Sequence, residues 1–320
     1  MKTMKALVTG GYGFIGSHLV KRLIDLGWDV TVFDNLSKGQ ANSLPSVKDS
    51  GRVRLVVGDL LDARAIQDAL VDRGLVFHLA ANPEVRLGYK NTEVDFRQNI
   101  VATYNLLEAM RNSPLARSLV FTSTSTIYGD AGKVPTPEDY GPLMPVSLYG
   151  ASKLACEALV SGYSSLFGFR AVIYRFANVV GPGGHGVVKD FVHKLQANKH
   201  ELEVLGDGTQ TKSYIYVDDC VGAMLHGLEQ SVERVSVFNI GSEDQTSVRE
   251  IAGMVVDEMG LRDVRMHYTG GVDGGRGWKG DVKNMLLDIE KIRKTGWRPK
   301  YNSAESIRRT VRSLLPQEIS

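Results

Sequence analysis

The sequence predicts a doubly wound α/β fold, in which helices cover both faces of a mostly parallel sheet. In the first half of the chain, short apolar runs alternate with longer segments of helical periodicity, which is the pattern of βαβ units with right-handed crossovers. A glycine-rich turn follows the first apolar run. The chain has 320 residues, more than one hydrophobic core usually serves, so we expect a second, smaller domain.

The elements of the first half follow from periodicity and stop signals. Residues 14–26 place Ile15, Leu19 and Leu23 at helical spacing, and Gly27 ends that helix. Two further helices are predicted at 94–110 and 148–167, and the predicted strands lie at 6–8, 29–33, 53–57, 75–79, 118–122 and 171–176.

The second half is less regular, because the Gly-rich segment 181–186 breaks the alternation. We place a first domain at residues 1–177, to which a segment near 214–242 returns, and a mixed α/β domain at residues 178–320. The elements expected in the second half are helices near 188–196, 217–229 and 248–260, a strand at 235–240 and a loop at 273–280.

Composition and charge argue against several classes of function. The formal net charge is +2 and Lys and Arg are spread along the chain, so we expect no nucleic-acid partner. No apolar run approaches the roughly 20 residues of a membrane span, and residues 1–5 carry no leader pattern, so we expect a soluble, cytoplasmic protein. Cys156 and Cys220 have no Cys-x-x-Cys or Cys/His ligand spacing, so we expect neither a disulfide nor a metal site.

The turn after the first strand has the pattern of a dinucleotide-binding loop. The segment 10–16 (GGYGFIG) opens a helix, where glycines permit a tight turn and backbone N–H groups can approach a pyrophosphate. Asp34 closes the second strand 18 residues beyond Gly16, and no basic residue follows it at 35–37. Such a carboxylate suits a ribose with free hydroxyls and repels a 2′-phosphate. The sequence therefore predicts a Rossmann domain that binds NAD rather than NADP.

Two polar residues at strand ends have structural as well as functional interpretations. Asp59 follows the third strand, where it could accept a hydrogen bond from an adenine amino group or act as the N-cap of a helix at 62–71. His78 ends the fourth strand, and we interpret it as a packed structural residue.

A tyrosine and a lysine form the candidate catalytic pair. Tyr149 and Lys153 are four residues apart at the start of a predicted helix, so they share one face. A free phenol has a pKa of about 10, and a nearby cation favours the phenolate, so Lys153 is expected to activate Tyr149 as an acid/base. Thr124 brings a hydroxyl that could bridge the phenol and a substrate hydroxyl, or could cap the backbone.

Together these motifs make the chain similar to the extended short-chain dehydrogenases/reductases, in their sugar-nucleotide epimerase/dehydratase group. Within that group the chain is most similar to the members that act as UDP-glucose (UDP-galactose) 4-epimerases. The resemblance covers essentially the whole chain. Its matching stretches are 9–18, 34–35, 58–59, 78–81, Asn99, 128–129, 149–153, 175–178 and 214–219.

The resemblance implies a role for each matching residue. Tyr149 is the acid/base, Lys153 is its activator and a ligand of the nicotinamide ribose, and Thr124 is the adjacent hydroxyl. The residues implied to bind NAD are Gly10, Gly13, Phe14, Ile15, Gly16, Asp34, Asn35, Asp59, Leu60, Leu79, Ala80, Ala81, Asn99, Thr122, Tyr149 and Lys153. The residues implied to bind a UDP-sugar substrate are Thr124, Tyr149, Asn178, Val188, Lys212, Tyr214, Arg276, Asp281 and Met285.

The chain departs from the family pattern at three places. Lys212 stands where the family usually has Arg, which loses bidentate phosphate binding there. Arg276 is separated from Asp281 by an insert of Gly, Trp and Lys, and that lysine, Lys279, could share the role of Arg276. The asparagine that the family carries is missing around 185–188.

The activity that the resemblance implies is 4-epimerisation of a nucleotide-diphosphate sugar through a 4-keto intermediate. In the same family, 4,6-dehydratases follow the catalytic Thr with Asp-Glu and UDP-glucuronate decarboxylases follow it with Ser-Glu, whereas this chain has Ser125-Thr126. UDP-uronate and UDP-N-acetylhexosamine epimerases stay open as alternatives. For the N-acetylated sugars the reason is Met285, which is intermediate in size at a position that lines the sugar pocket of the family.

Two further expectations concern the class of protein and its assembly. A catalytically silent NAD-sensing protein of the same fold is the non-enzyme alternative, and such proteins often lose the Tyr/Lys pair that is intact here. The helices at 94–110 and 148–167 resemble the pair that forms the dimeric four-helix bundle of the family, so we expect a homodimer.

Overall fold

The computed structural model describes residues 4–38, 44 and 50–315. The expectation about the first residues of the chain therefore falls partly on residues 1–3, which lie outside the described part. Two compact units make up the chain. The first comprises Met1–Thr124, Leu148–Arg175 and Met224–Phe238, and the second comprises Ser125–Ser147, Phe176–Ala223 and Asn239–Ser320.

The strands differ greatly in length between the two halves of the chain. They are β1 (Lys5–Thr9), β2 (Asp29–Asp34), β3 (Val53–Val57), β4 (Leu75–His78), β5 (Ser118–Thr124), β6 (Arg170–Phe176), β7 (Asn178–Val180), β8 (Glu201–Val204), β9 (Thr211–Lys212), β10 (Tyr214–Tyr216), β11 (Val235–Ile240), β12 (Thr246–Ser247), β13 (Arg265–Tyr268) and β14 (Asn284–Met285).

The helices agree with the predicted ones at every long periodic segment. They are α1 (Phe14–Asp25), α2 (Ala63–Leu70), α3 (Leu87–Lys90), α4 (Thr92–Asp95), α5 (Ala102–Asn112), α6 (Leu148–Phe167), α7 (Val187–Ala197), α8 (Val217–Gln230), α9 (Val248–Glu258), α10 (Glu290–Arg293) and α11 (Ser303–Leu314). A π-helical segment, Phe96–Val101, joins α4 to α5 without a break.

A seven-stranded sheet forms the centre of the doubly wound fold. Its strand order is β3-β2-β1-β4-β5-β6-β11, and the pairings of β1 with β2, β1 with β4, β2 with β3 and β4 with β5 are parallel. The chain winds outward from β1 to β3 and then in the other direction from β4 to β6. The winding direction thus reverses between β1 and β4, which is where such sheets bind ligands. The predicted fold class is confirmed.

The inner apolar runs of the first unit form strands because both of their faces are covered. Ala6, Leu7 and Val8 of β1 have no exposed surface, as expected for a parallel strand between two helical layers. Phe33 and Leu106 lie in the same core. The thiols of Cys156 and Cys220 are free and buried.

The second unit has its own core and three small sheets. β7 pairs with β10 and β8 with β13, both in parallel, and β9 lies between β12 and β14. Helices α7, α9 and α11 surround an apolar core that includes Val192, Ile251 and Ile307. Ser247 and Glu250 form a capping box that begins α9.

Two absences hold for residues 4–38, 44 and 50–315. Within these residues no helix is both long and apolar enough to cross a membrane, and no group of His, Cys, Asp and Glu side chains is placed to hold a metal ion.

Candidate active site

The turn after β1 is built so closely that two of its positions require glycine. Gly10 has a φ of +69°, and a Cβ atom there would lie 2.7 Å from the backbone nitrogen of Ala80. A Cβ atom on Gly16 would collide with the carbonyl oxygen of Gly10. The absence of side chains therefore lets α1 start directly against the ends of β1 and β4.

Helix α1 presents uncapped backbone donors at its first turn. Gly13 is its N-cap residue and has no side chain to satisfy them, and no acidic residue lies in the first turn. Phe14 and Ile15 begin the helix and are half-buried. The N–H groups and the partial positive charge of the helix dipole are thus available to an anionic group.

The carboxylate of Asp34 is fixed at the end of β2. One of its oxygens accepts the backbone N–H of Tyr12 at 3.0 Å, and the other accepts that of Leu36 at 2.8 Å. Asp34 keeps 9% of its surface exposed. These bonds connect the glycine turn to β2 and hold a negative charge beside it.

The two interpretations of Asp59 can be separated. Asn35 donates a hydrogen bond to its Oδ2 at 2.9 Å, and the N–H of Leu61 donates to its Oδ1 at 2.9 Å. The N-cap of α2 is Asp62, whose side chain accepts hydrogen bonds from the first turn of that helix. The interpretation of Asp59 as the helix cap was wrong, because the helix begins three residues later than that interpretation required.

This edge of the sheet fits a dinucleotide. Leu79, Ala80 and Ala81 follow β4 directly, and Thr122 on the neighbouring β5 donates its hydroxyl to the carbonyl of His78 at 3.2 Å. The close glycine turn, the uncapped helix and a fixed carboxylate are the three features that pyrophosphate and ribose recognition require.

Tyr149 and Lys153 lie in the first turns of α6, as predicted. Lys153 is 3% exposed, and its Nζ lies 4.4 Å from the centre of the Phe121 ring. Burial lowers the pKa of Lys153 to about 8, against the opposing charge of Glu157. Thr124 ends β5 in the same unit and is half-buried.

The pKa of Tyr149 does not move as the sequence suggested. Burial of the phenol raises it above its ordinary value, and the negative charge of Asp95 adds to the effect. The sequence led us to expect that Lys153 would bring this pKa towards neutrality, but in the protein chain by itself the burial of the phenol raises it instead.

A buried ion pair lies one helical turn beyond Lys153. Arg175 on β6 donates to both carboxylate oxygens of Glu157, the closest contact being 2.8 Å, and each residue is 6% exposed. The bidentate geometry holds the carboxylate in place on α6, one turn from Lys153.

His78 is held on both ring nitrogens. Nδ1 lies 2.7 Å from the hydroxyl of Thr9, and Nε2 lies 3.0 Å from that of Thr103. Burial lowers the pKa of His78 to about 3, with the charge of Lys153 adding to the effect. A neutral imidazole with a hydrogen-bond partner at each nitrogen agrees with the interpretation of His78 as a structural residue.

Asn99 has its amide engaged within the protein. Its Oδ1 accepts the N–H of Asn82 at 2.8 Å, its Nδ2 donates to Ser152 at 2.8 Å, and only 2% of the residue is exposed.

In the second unit, Lys212 and Asp281 form a close ion pair. Lys212 Nζ lies 2.5 Å from Asp281 Oδ1 and 5.3 Å from the centre of the Trp278 ring. Asp281 is 3% exposed, and the N–H of Gly277 donates to its second oxygen. Tyr214 is near enough for Asp281 to add to the rise in its pKa that burial causes.

Arg276 is held beside Asp281 in spite of the inserted residues. The N–H of Asp281 donates to the carbonyl of Trp278 at 3.1 Å, so the insert closes as a turn. Arg276 donates to the carbonyl oxygen of Asp281 and makes a two-pronged ion pair with Asp130, at 2.9 and 3.1 Å. The insert therefore leaves Arg276 and Asp281 in contact.

Of the three other predicted substrate residues in the second unit, two lie near this group and one is in the core. Met285 pairs with Lys212 in the parallel β9–β14 ladder and is 6% exposed. Asn178 pairs with Tyr214 between β7 and β10. Val188 lies in the apolar core at the start of α7, so only its backbone is available to a ligand.

Several residues close to Arg276 were not among the predicted site residues. A cavity of about 470 Å³ opens beside Arg276 within the second unit, and its lining includes Asp130, Thr209, Thr211, Gln245 and Asn284. Asp130 and Arg276 are 146 positions apart, so spacing could not pair them. Asp130 follows the Tyr-Gly pair of the matching stretch at 128–129, which was the one available signal.

Known proteins resemble the chain over nearly all of its length. The model of the NAD dependent epimerase/dehydratase family matches residues 6–241. A UDP-glucose 4-epimerase of Mycolicibacterium smegmatis is 33% identical over 96% of this chain and 97% of its own. A UDP-N-acetyl-alpha-D-glucosaminuronate decarboxylase of Bacillus cytotoxicus is 33% identical over 78% of each chain.

A solved structure has the same fold over nearly the whole chain. The crystal structure of a UDP-galactose 4-epimerase has a TM-score of 0.86 and 43% identity, with 97% of this chain and 98% of that chain covered. The chain is thus an enzyme with NAD as its cofactor, and it belongs to the NAD dependent epimerase/dehydratase family of sugar-nucleotide enzymes.

Proposed function

We propose that this enzyme interconverts the C4 epimers of a UDP-sugar of the UDP-glucose/UDP-galactose type, through a 4-keto sugar. The observation that carries the proposal is the pair Ser125-Thr126 after Thr124. Dehydratases and decarboxylases of the family have an acidic residue there, and elimination across C5 and C6 needs a second acid and base near those carbons. Neither hydroxyl supplies one, so reduction of the 4-keto group is the exit that remains.

The next carboxylates along the chain are already engaged. Asp130 is paired with Arg276, and Glu138 accepts the backbone N–H of Asn239 at 2.8 Å. Burial raises the pKa of Glu138. This supports a site in which the sugar meets a single acid/base.

In the proposed mechanism Tyr149 takes the proton of the sugar 4-hydroxyl and later returns it. Lys153 holds a positive charge in the same buried region, and Thr124 donates a hydrogen bond that orients the sugar hydroxyl. When bound, NAD supplies a reversible acceptor for the hydride of C4 and, in its oxidised form, a positive charge that favours the phenolate. Because the cofactor is regenerated in each cycle, it is expected to stay with the enzyme.

We assign the binding of NAD to the first-unit residues that the resemblance implied. The N–H groups at the start of α1 are assigned to the pyrophosphate, Asp34 to the adenosine ribose and Asp59 to the adenine. Leu60 and Asn35 accompany Asp59, and the turn after β4 approaches the cofactor through its backbone. We propose in the same way that residues 1–177, together with the returning segment near 214–242, bind the cofactor.

The substrate role is assigned to residues 178–320. Lys212 and Arg276 each carry a positive charge suited to a diphosphate, and both are held beside carboxylates in the protein chain. Asn178, Tyr214 and Met285 accompany them as nucleotide and sugar contacts. The backbone of Val188 at the start of α7 is the fourth contact.

The assembly and location follow as further proposals. Tyr104 on α5 and Leu166 and Phe167 on α6 are exposed apolar residues, with 46, 78 and 40% of their surface accessible. They suit a homodimer in which these helices pair with those of a second copy. Light scattering during gel filtration tests the dimer, and we propose the cytoplasm as its location.

Product analysis tests the proposed activity. The purified enzyme is incubated with UDP-galactose, UDP-glucuronate and UDP-N-acetylglucosamine in turn, and the products are identified by NMR. We expect UDP-glucose from UDP-galactose, a reversible reaction and no net change in NADH absorbance. A 6-deoxy-4-keto sugar or a pentose as the main product would overturn the proposal, and binding of NAD without any product would favour the NAD-sensing alternative.

A further inference from the structure

A buried polar network lies between the loop after β4 and the first turn of α6. Its members are Asn82, Asp95, Asn99 and Ser152, and between 1 and 6% of the surface of each is exposed. Asn82 directly follows Ala81 in the cofactor loop, and Ser152 directly precedes Lys153. Asn82, Asp95 and Ser152 have no role in the proposed function.

The hydrogen bonds of this network are continuous. The backbone N–H of Asn82 donates to Asn99 Oδ1 at 2.8 Å, and Asn99 Nδ2 donates to Ser152 Oγ at 2.8 Å. Ser152 Oγ in turn donates to the carbonyl oxygen of Tyr149 at 2.8 Å. The cofactor loop is therefore connected to the peptide of Tyr149 by three bonds.

Asp95 holds two members of the network, Asn82 and Asn99, through its carboxylate. Its Oδ1 accepts a hydrogen bond from Asn82 Nδ2 at 2.9 Å and a longer one from Asn99 Nδ2 at 3.5 Å. Asp95 ends α4, and Asn99 lies in the π-helical segment that follows. Such segments shift side chains out of ordinary helical register and occur often at functional sites. The irregular segment here carries Asn99, which contacts both Asn82 and Ser152.

The carboxyl of Asp95 is unusual because its second oxygen has no hydrogen-bond partner among the described residues. Gly88 makes room for this oxygen, since a Cβ atom on Gly88 would collide with it. Burial raises the pKa of Asp95, against the hydrogen bond that Asn82 donates to it.

We propose that Asp95 is a positioning residue of the reaction, which acts through Asn82 and Asn99 to fix Tyr149 relative to the cofactor loop. The proposal rests on the proposed acid/base role of Tyr149. A catalytic group misplaced by about 1 Å can cost about 100-fold in rate, so a residue that contacts neither substrate nor cofactor can still limit turnover.

Two substitutions separate the positioning role from the charge. Asp95→Asn keeps the acceptor oxygen and removes the ionisable group, whereas Asp95→Leu removes the acceptor and leaves the amide of Asn82 with only the carbonyl of Glu84, at 3.2 Å. We expect Asp95→Asn to turn over within about threefold of the wild type and Asp95→Leu to lose about tenfold or more in kcat. KM for the UDP-sugar should stay within about twofold, because the residue touches no substrate. Glu93→Leu, two residues before Asp95 and exposed, is the matched control.

Stability provides a second readout. Because the pKa of Asp95 is raised in the folded protein, the unfolded chain releases this proton at lower pH than the folded chain does. The carboxyl therefore costs stability above its unfolded pKa, and Asp95→Asn should unfold at an equal or higher temperature than the wild type at pH 7.

Hydrogen exchange keeps this test independent of turnover. In Asp95→Leu, amide exchange should become faster in segments 79–82 and 149–153 and stay unchanged in α9. If the wild type acts on no UDP-sugar, the proposed function fails while the exchange result still tests the network. Unchanged exchange and kcat in Asp95→Leu, or equal losses in Asp95→Asn and Asp95→Leu, would overturn the proposal.

Discussion

Replacing Tyr149 by phenylalanine removes the proposed acid/base and keeps the bulk of the ring. Tyr149 is half-buried, burial raises the pKa of its phenol, and Lys153, about one helical turn further along α6, is 3% exposed. Loss of a general acid/base typically costs about 100-fold to 10,000-fold, which corresponds to roughly 2.7 to 5.4 kcal/mol of activation free energy. We expect kcat to fall about 100-fold or more.

The assay measures conversion of UDP-galactose to UDP-glucose, together with the NAD content of each purified variant. Tyr163→Phe is the matched control, because Tyr163 is on the same helix and its phenol donates to Glu108 at 2.6 Å. That variant should turn over normally, and Tyr149→Phe should retain its NAD and its melting temperature. A Tyr149→Phe enzyme with turnover within about threefold of the wild type would refute the assignment.

Three further predictions test the cofactor site, the sugar pocket and a buried histidine. Asp34→Ala should weaken NAD binding about 10-fold to 100-fold, because a hydrogen bond to a charged group is lost. In a binding titration the affinity for NADP should rise relative to that for NAD. An unchanged preference for NAD would contradict the proposed role of Asp34. Met285 is flexible and 6% exposed, so we expect some activity on both hexose and N-acetylhexosamine donors, with Met285→Ala improving the latter; failure of both proteins on every N-acetylated donor contradicts this. The pKa of His78 is lowered to about 3, below its unfolded value of about 6.5, so its contribution to stability is complete above pH 6.5 and is lost as pH falls towards 3. Its ring signals should not titrate between pH 9 and 5 by NMR, and a titration near pH 6.5 would contradict its buried, neutral state.

The central sheet and the long helices could be predicted because their signals are local. A buried parallel strand is a continuous apolar run, as at 6–8, and a helix of three or more turns repeats its apolar positions. Strands of two or three residues, such as β9 and β14, carry no such pattern. They form because neighbouring backbone groups in the second unit pair with them, which no local reading of the sequence can supply.

The residues of the candidate site also fall into those that local motifs predict and those that only folding brings together. The glycine turn and the Tyr149/Lys153 pair are contiguous motifs whose spacing sets their geometry, and both were found. Asp130 could not be assigned to Arg276, since the two meet only after folding. The direction of the Tyr149 pKa was wrong because spacing gives the distance to a cation but not the degree of burial, and burial dominates here.

Two of the three departures from the family pattern, Lys212 and the insert after Arg276, form one feature of the second unit. In sequence, Lys212 in place of Arg and the insert that carries Trp278 are far apart and look like separate losses. In the structure the ammonium of Lys212 lies 5.3 Å from the centre of the Trp278 ring and 2.5 Å from Oδ1 of Asp281. A lysine is a mobile point charge, whereas a guanidinium is a rigid planar one, and an aromatic face together with a carboxylate restricts that mobility. The inserted tryptophan thus orders the charge that the exchange of Arg for Lys would otherwise leave free to move.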